Sequence, residues 1–157
     1  ANDFTYSIVF INENTDFTDD VVLLKNDDNE FIVVSSDGVT INSGSVSFHP
    51  ITLDTENPIN IIVTSQNSTI DVFVDGEKIS STSSTGLYTP PTGVLTIPQQ
   101  NNVYIGDIRS YSSAIDEYSV QRLNQNVFSL IHLGFDTEGY IFDYDVTFSN
   151  NNFLFNG

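Results

Sequence analysis

The residues of this chain best suited to chemistry are oxygen donors gathered in three acidic runs. Asn26-Asp27-Asp28-Asn29-Glu30 places carboxylates and carboxamides in consecutive positions, and Asp16, Asp19 and Asp20 crowd a second short segment. Asp136, Glu138, Asp143 and Asp145 form a third group. Hard cations such as Ca²⁺ take roughly six to eight oxygens, so Asp27, Asp28 and Glu30 are the metal-ligand candidates. None of the three runs follows a spaced calcium-loop pattern, and a solvated acidic hairpin is the competing account of each. Sugar binding asks for something else, an aromatic platform beside polar groups. The chain has no Trp, which leaves Tyr88, Tyr104, Tyr111 and Tyr140. Tyr88 is the binding candidate, because Gly86 and Pro90 hold it in a loop where it is expected to be exposed. Nucleophilic catalysis is poorly supplied. There is no Cys, His49 precedes a proline, and His132 sits inside an apolar run. A triad also needs an orienting acid and a presented Ser, and none can be assembled from these positions.

Composition narrows the partners. At 157 residues the chain suits one domain with its own core. Its 21 acidic residues face 4 basic ones, Lys25, Lys78, Arg109 and Arg122, for a formal charge of −17. Such a charge repels a nucleic-acid backbone and an anionic membrane surface. No apolar run approaches the roughly 20 residues that span a bilayer. Neither nucleic acid nor membrane insertion is therefore expected. The acidity by itself reads as a solubility device or an adaptation to salty surroundings rather than a dedicated cation site. Without Cys, the redox compartment stays open. The chain opens on Ala1 with no signal-peptide pattern before its first strand, as a processed product or a segment of a longer protein would.

The elements that must position these groups are β-strands. Phe4, Tyr6, Ile8 and Phe10 alternate with a second face that is itself half apolar, which predicts a strand buried on both sides. Short β-branched or aliphatic runs follow at residues 21–24 and 31–34, then around Val39 and Ile41, and at residues 45–48. Residues 59–64 and 69–74 form a further pair, and Asp75-Gly76 between Val72-Phe73-Val74 and Glu77-Lys78-Ile79 is the strongest short hairpin signal in the chain. Residues 80–93 are rich in Ser, Thr and Pro and read as a long surface loop, with a short strand after it at Val94, Leu95 and Ile97. In residues 103–123 a strand interrupted by Gly106 and Asp107, as a bulge would interrupt it, leads to the one convincing helix signal. Asp116 stands as its N-cap, Ile115 and Val120 are spaced as a hydrophobic staple, and Val120 and Leu123 share a face. Beyond it, residues 130–135, 140–142, 146–148 and 153–155 read as short added strands or as a tail packing on a neighbour. Roughly ten short strands with turn chemistry between them predict an antiparallel sandwich or jelly roll.

Three places in this pattern resemble the laminin G-like, concanavalin A-like jelly-roll superfamily, in the branch found as modules of surface proteins. They are Phe4-Thr5-Tyr6-Ser7-Ile8, the hairpin Thr69-Ile70-Asp71-Val72-Phe73-Val74-Asp75-Gly76-Glu77-Lys78-Ile79, and Ile108-Arg109-Ser110-Tyr111-Ser112-Ser113-Ala114-Ile115-Asp116 with Val120 and Leu123. The likeness covers residues 4–123 in order. Two departures stand out: Ile105-Gly106-Asp107-Ile108 fuses two elements that are separate in the family, and Ser119 replaces the acidic residue of the capping box. The resemblance implies that Tyr111 packs on the sheet, and Arg109 is expected to pair with Asp107 or Asp116. Glucanases of the superfamily carry two Glu residues on one strand face, since retaining hydrolysis needs carboxyls roughly 5 Å apart. Here every Glu is isolated and Asp143 with Asp145 lacks that pattern, so no enzyme activity is expected.

The expectation is an all-β, antiparallel jelly-roll β-sandwich of concanavalin A-like type with one short helix. Residues 1–128 would form the sandwich, and residues 129–157 an extension of the same domain as added strands or an interface tail. Its function would be non-catalytic recognition or adhesion at a cell, virion or other extracellular surface, binding glycan or protein with Ca²⁺ as an assisting ion. The alternative is a structural or decoration protein of a virion or filament that assembles through its own copies or neighbouring subunits.

Overall fold

A computed structural model describes residues 3–14, 20–26, 29–35, 38–41, 46–47, 57–83, 95–136, 145–149 and 152–156. The period-two segments become β1 (Phe4–Asn12), β2 (Val21–Asn26), β3 (Asn29–Ser35), β4 (Gly38–Ile41), β5 (Val46–Ser47), β6 (Ile59–Gln66) and β7 (Thr69–Val74). They continue as β8 (Glu77–Ser83), β9 (Leu95–Ile97) and β10 (Val103–Tyr111), then helix α1 (Glu117–Asp136), and finally β11 (Asp145–Ser149) and β12 (Asn152–Asn156). One sheet runs β10-β1-β6-β7-β8 and the other β12-β11-β9-β2-β3-β4-β5, with every pairing antiparallel. The protein is an antiparallel jelly-roll β-sandwich carrying one helix.

Turn chemistry sets the registers. Asn67 and Ser68 between β6 and β7, and Asp75 and Gly76 between β7 and β8, all have positive φ, as both central residues of a type I′ hairpin must. In β10 the partner of Val9 is Asp107 and the partner of Phe10 is Ile105, so Gly106 is the extra residue of a bulge. Val103 to Tyr111 therefore stays one continuous strand.

The main core lies between the sheets. Ile8, Phe10, Ile61, Val63, Ile70 and Val72 from the first sheet meet Leu23, Leu24, Ile32, Val34, Val39, Ile41 and Ile97 from the second. Phe4, Tyr6 and Phe31 close one region as an aromatic trio, with Tyr6 and Phe31 edge-on at 6.1 Å between centroids. Burial there pushes the Tyr6 hydroxyl up to about 12, which keeps it neutral in the core.

The opposite face of the first sheet is also apolar. Val9, Ile62 and Phe73 point away from the sandwich core and form a second cluster with Val120, Leu123 and Val127 of α1, flanked by Tyr111, Ile115 and Phe128. Positions 120, 123 and 127 are one helical stripe, and each is buried. The helix start is held over the sheet by Thr5, whose hydroxyl donates to the Ser113 carbonyl at 2.8 Å and accepts from the Ile115 amide at 3.1 Å. Asp116 caps the helix by accepting from the Ser119 amide at 2.7 Å.

One expectation fails here. Residues 130–135 read as a short added strand or as part of a tail, but α1 continues through them to Asp136. A short apolar run is ambiguous in period, and a helix already capped and anchored upstream propagates through it, since elongation is far easier than nucleation.

Phe73→Ala should cost about 3–5 kcal/mol in denaturant-derived stability, because it opens a cavity under the helix. The hydroxyl and amide of Ser119 hold the Asp116 carboxyl below its ordinary range. A carboxyl depressed in this way stabilises the fold above its unfolded value, and the contribution fades as pH falls through the lower folded value. Wild-type stability should thus show an acid-side loss that Asp116→Asn, a neutral cap, lacks. Equal pH profiles for the two proteins would show that the cap carries no charge-dependent stability.

Candidate functional site

Tyr88, Asp27 and Asp28 lie outside the described residues, as do Asp16, Asp19, Glu138, Asp143, Tyr140 and His49. Glu30 is exposed in β3. His132 falls within α1. Tyr104 and Tyr111 are both half-buried in β10, and Tyr111 packs beside the second core. Arg109 pairs with Asp107 at 2.9 Å. Burial pushes the Asp107 carboxyl up while Arg109 pulls it back, which makes this a local structural pair. Among the described residues no group of three His, Asp or Glu side chains is placed to hold a metal ion.

A different site forms where the β7–β8 turn meets the helix. Asp75, Gly76, Glu77 and Lys78 from the hairpin and Glu117, Gln121, Asn124 and Gln125 from α1 line a groove of about 510 Å³. Its helical wall follows from spacing, since positions 117, 121, 124 and 125 recur at three- and four-residue steps and share one face. The hairpin wall exists because Asp-Gly makes the tight turn, and the absence of a side chain at Gly76 lets α1 approach. A Cβ at Gly76 would lie 3.2 Å from Asn124 Nδ2.

A polar network that runs from buried Asn60 to exposed Asp75 ties the two walls together. Asn60, fully buried in β6, accepts from the Ser7 hydroxyl at 3.1 Å and donates through Nδ2 to Asn124 Oδ1 at 3.0 Å. Asn124 in turn donates to the Asp75 carbonyl at 3.0 Å. The backbones of Asn60 and Asp75 also meet: the Asp75 amide donates to the Asn60 carbonyl and the Asn60 amide to Asp75 Oδ1, both at 2.9 Å. Burial pushes the Asp75 carboxyl up, and the Asn60 amide opposes that. Lys78 adds an ionic tie, reaching Asp71 at 3.1 Å and Glu117 at 3.4 Å, with its ammonium 5.4 Å from the centre of the Phe73 ring. The hydrogen bond to Asp71 is the largest of the effects that raise its pKa.

Tyr118 follows Glu117 on α1 and is not itself part of the groove lining. It is the one large hydrophobic side chain left exposed among the described residues, at 66%. It lies three positions before Gln121, next to the helical wall in the turn geometry of α1. Arg122 stacks over its ring at 5.7 Å and donates to its hydroxyl at 3.5 Å, which steadies the ring. An aromatic face next to carboxylate, carboxamide and ammonium groups can stack an apolar ring face and hydrogen-bond its substituents. Reading positions singly misses these residues, because they converge only through the hairpin–helix contact. The signal available beforehand was the combination of Asp75-Gly76 with a helix whose polar positions repeat at 117, 121, 124 and 125.

Asn124→Ala removes a partner from both Asn60 and the Asp75 carbonyl. It should cost about 1–3 kcal/mol by chemical denaturation and raise amide exchange in the β7–β8 turn. Unchanged exchange there would mean that the network does not hold the groove.

No family model matches the chain, and no curated protein matches it in sequence. Solved structures do resemble it. Trypanosoma rangeli sialidase superposes with a TM-score of 0.62 at 15% identity, over 82% of this chain and 23% of that one. A Bacteroides ovatus protein proposed to bind carbohydrate gives 0.61 at 14% identity, over 77% and 40%. Botulinum neurotoxin type C, whose cell entry depends on interaction with two ganglioside molecules, gives 0.55 at 14% identity, over 80% and 36%. This chain thus spans well under half the length of each, and at such identities the likeness is one of fold: this β-sandwich is also built into a sialidase, a proposed carbohydrate binder and a toxin.

Proposed function

We propose that this chain is a non-catalytic recognition module that binds glycan in the groove between the β7–β8 turn and α1. The observation that carries the reading is the groove itself. Its size of about 510 Å³ falls in the ordinary range of small-ligand sites, and its walls are mostly polar, with exposed Tyr118 on the same helix. A polyhydroxylated ligand can exchange its water for such walls, whereas an apolar one would leave their groups unpaired. Support also comes from the sandwich fold shared with a proposed carbohydrate binder and a ganglioside-dependent toxin. Placement within the laminin G-like, concanavalin A-like superfamily, and a role at a cell or virion surface, belong to the same proposal. The module is read as non-catalytic because no His or Cys lines the groove among the described residues, and Lys78, the one cation of that described lining, pairs with Asp71 and Glu117.

A glycan array probed with the folded chain should give signal that Tyr118→Ala reduces about tenfold or more, in line with stacking worth at least ~1.4 kcal/mol. Because Tyr118 is exposed, its removal should leave stability within about 0.5 kcal/mol. Repeating the array with chelator tests whether Ca²⁺ assists. A stable homo-oligomer with no array signal would replace the glycan reading by assembly of a structural subunit.

A further inference from the structure

The groove's charge restricts which glycans it can take. Asp75, Glu77 and Glu117 put three carboxylates in its lining against one ammonium. Lys78 bridges Glu117 on the helix and Asp71 on the sheet, so two carboxylates already draw on its single charge. Arg122, the nearest other cation on α1, is stacked on Tyr118 and bonded to its hydroxyl. A carboxylated or sulfated sugar would meet uncompensated negative charge inside a Debye length, in a protein whose formal charge is −17. An anionic group reaching Lys78 would share its one positive charge with Asp71 and Glu117 and would still face the groove's excess of carboxylates. Neutral hydroxyls meet no such barrier. They donate well to Glu77, Glu117 and Gln121, because carboxylates are strong acceptors with no proton of their own.

We infer that the groove between the β7–β8 turn and α1 selects uncharged sugars and rejects acidic ones, with Glu77 and Glu117 as the discriminating groups. The inference rests on the glycan reading of this groove. It also separates the chain from two of its fold neighbours, one a sialidase and the other a toxin whose cell entry depends on gangliosides.

The test uses matched oligosaccharides that differ only in a terminal carboxylated sugar, titrated against the full chain near physiological salt. The neutral member should bind about tenfold or more tighter than its acidic partner, and raising salt should narrow the ratio. Glu77→Gln should narrow it further by removing one repelling charge. Equal or tighter binding of the acidic member would overturn the selectivity while leaving the glycan reading standing. A ratio untouched by Glu77→Gln would overturn the assignment to this groove. Failure of both members, and of every sugar on the array, would sink the glycan reading and the selectivity with it.

Discussion

The structure depends on covering the first sheet from both sides. Val9, Ile62 and Phe73 alternate along their strands with residues of the sandwich core, so a sandwich alone would leave them in water. Each such side chain contributes about 1.5–3 kcal/mol when buried, and α1 supplies the cover through Val120, Leu123 and Val127. The staple of Ile115 with Val120, the Asp116 cap and the Thr5 anchor fix where the helix lands. Once it has landed there, its polar flank lies against the β7–β8 turn. The groove is thus a by-product of hydrophobic cover, formed where an apolar stripe gives way to polar positions one step around the helix.

Much of this was legible from residue order, for identifiable reasons. Strands β1, β6, β7, β11 and β12 fall where alternation or a short apolar run predicts them, and the Asp75-Gly76 turn takes the positive φ values that its composition demands. The bulge at Gly106 and the Arg109–Asp107 pair also follow from local spacing. The helix was harder. Its start is encoded locally by the cap and staple, but its length is not, since residues 130–135 suit either period and only continuity with an anchored helix decides. Asn60 was invisible as a site organiser. In the run Ile59-Asn60-Ile61-Ile62 it looks like an interruption, and its worth appears only when Ser7, Asp75 and Asn124 gather around it from distant segments.

The candidate groove is built from residues that do not stand out singly in the sequence. Binding surfaces need groups of differing chemistry brought together by the fold, and here the hairpin contributes acid and ammonium while the helix contributes carboxamide and phenol. Fold likeness at 14–15% identity cannot supply those groups, because a shared sandwich hosts many sites.

The proposed discrimination rests on contacts that tie the groove's two walls together. Asn124 has both ends of its carboxamide engaged, and Lys78 has two carboxylate partners on different elements, so both side chains are already committed to holding the wall. A ligand must therefore fit the groups that remain: exposed Glu77, the outer oxygens of Glu117, Gln121 and the Tyr118 ring. These offer acceptors, a carboxamide and a stacking face, with no spare cation among them. Preorganisation lowers the entropy lost on binding, and it also prevents the groove from rearranging its charge to suit a different guest. The proposed selectivity against anions rests on the contacts that hold the helix to the sheet.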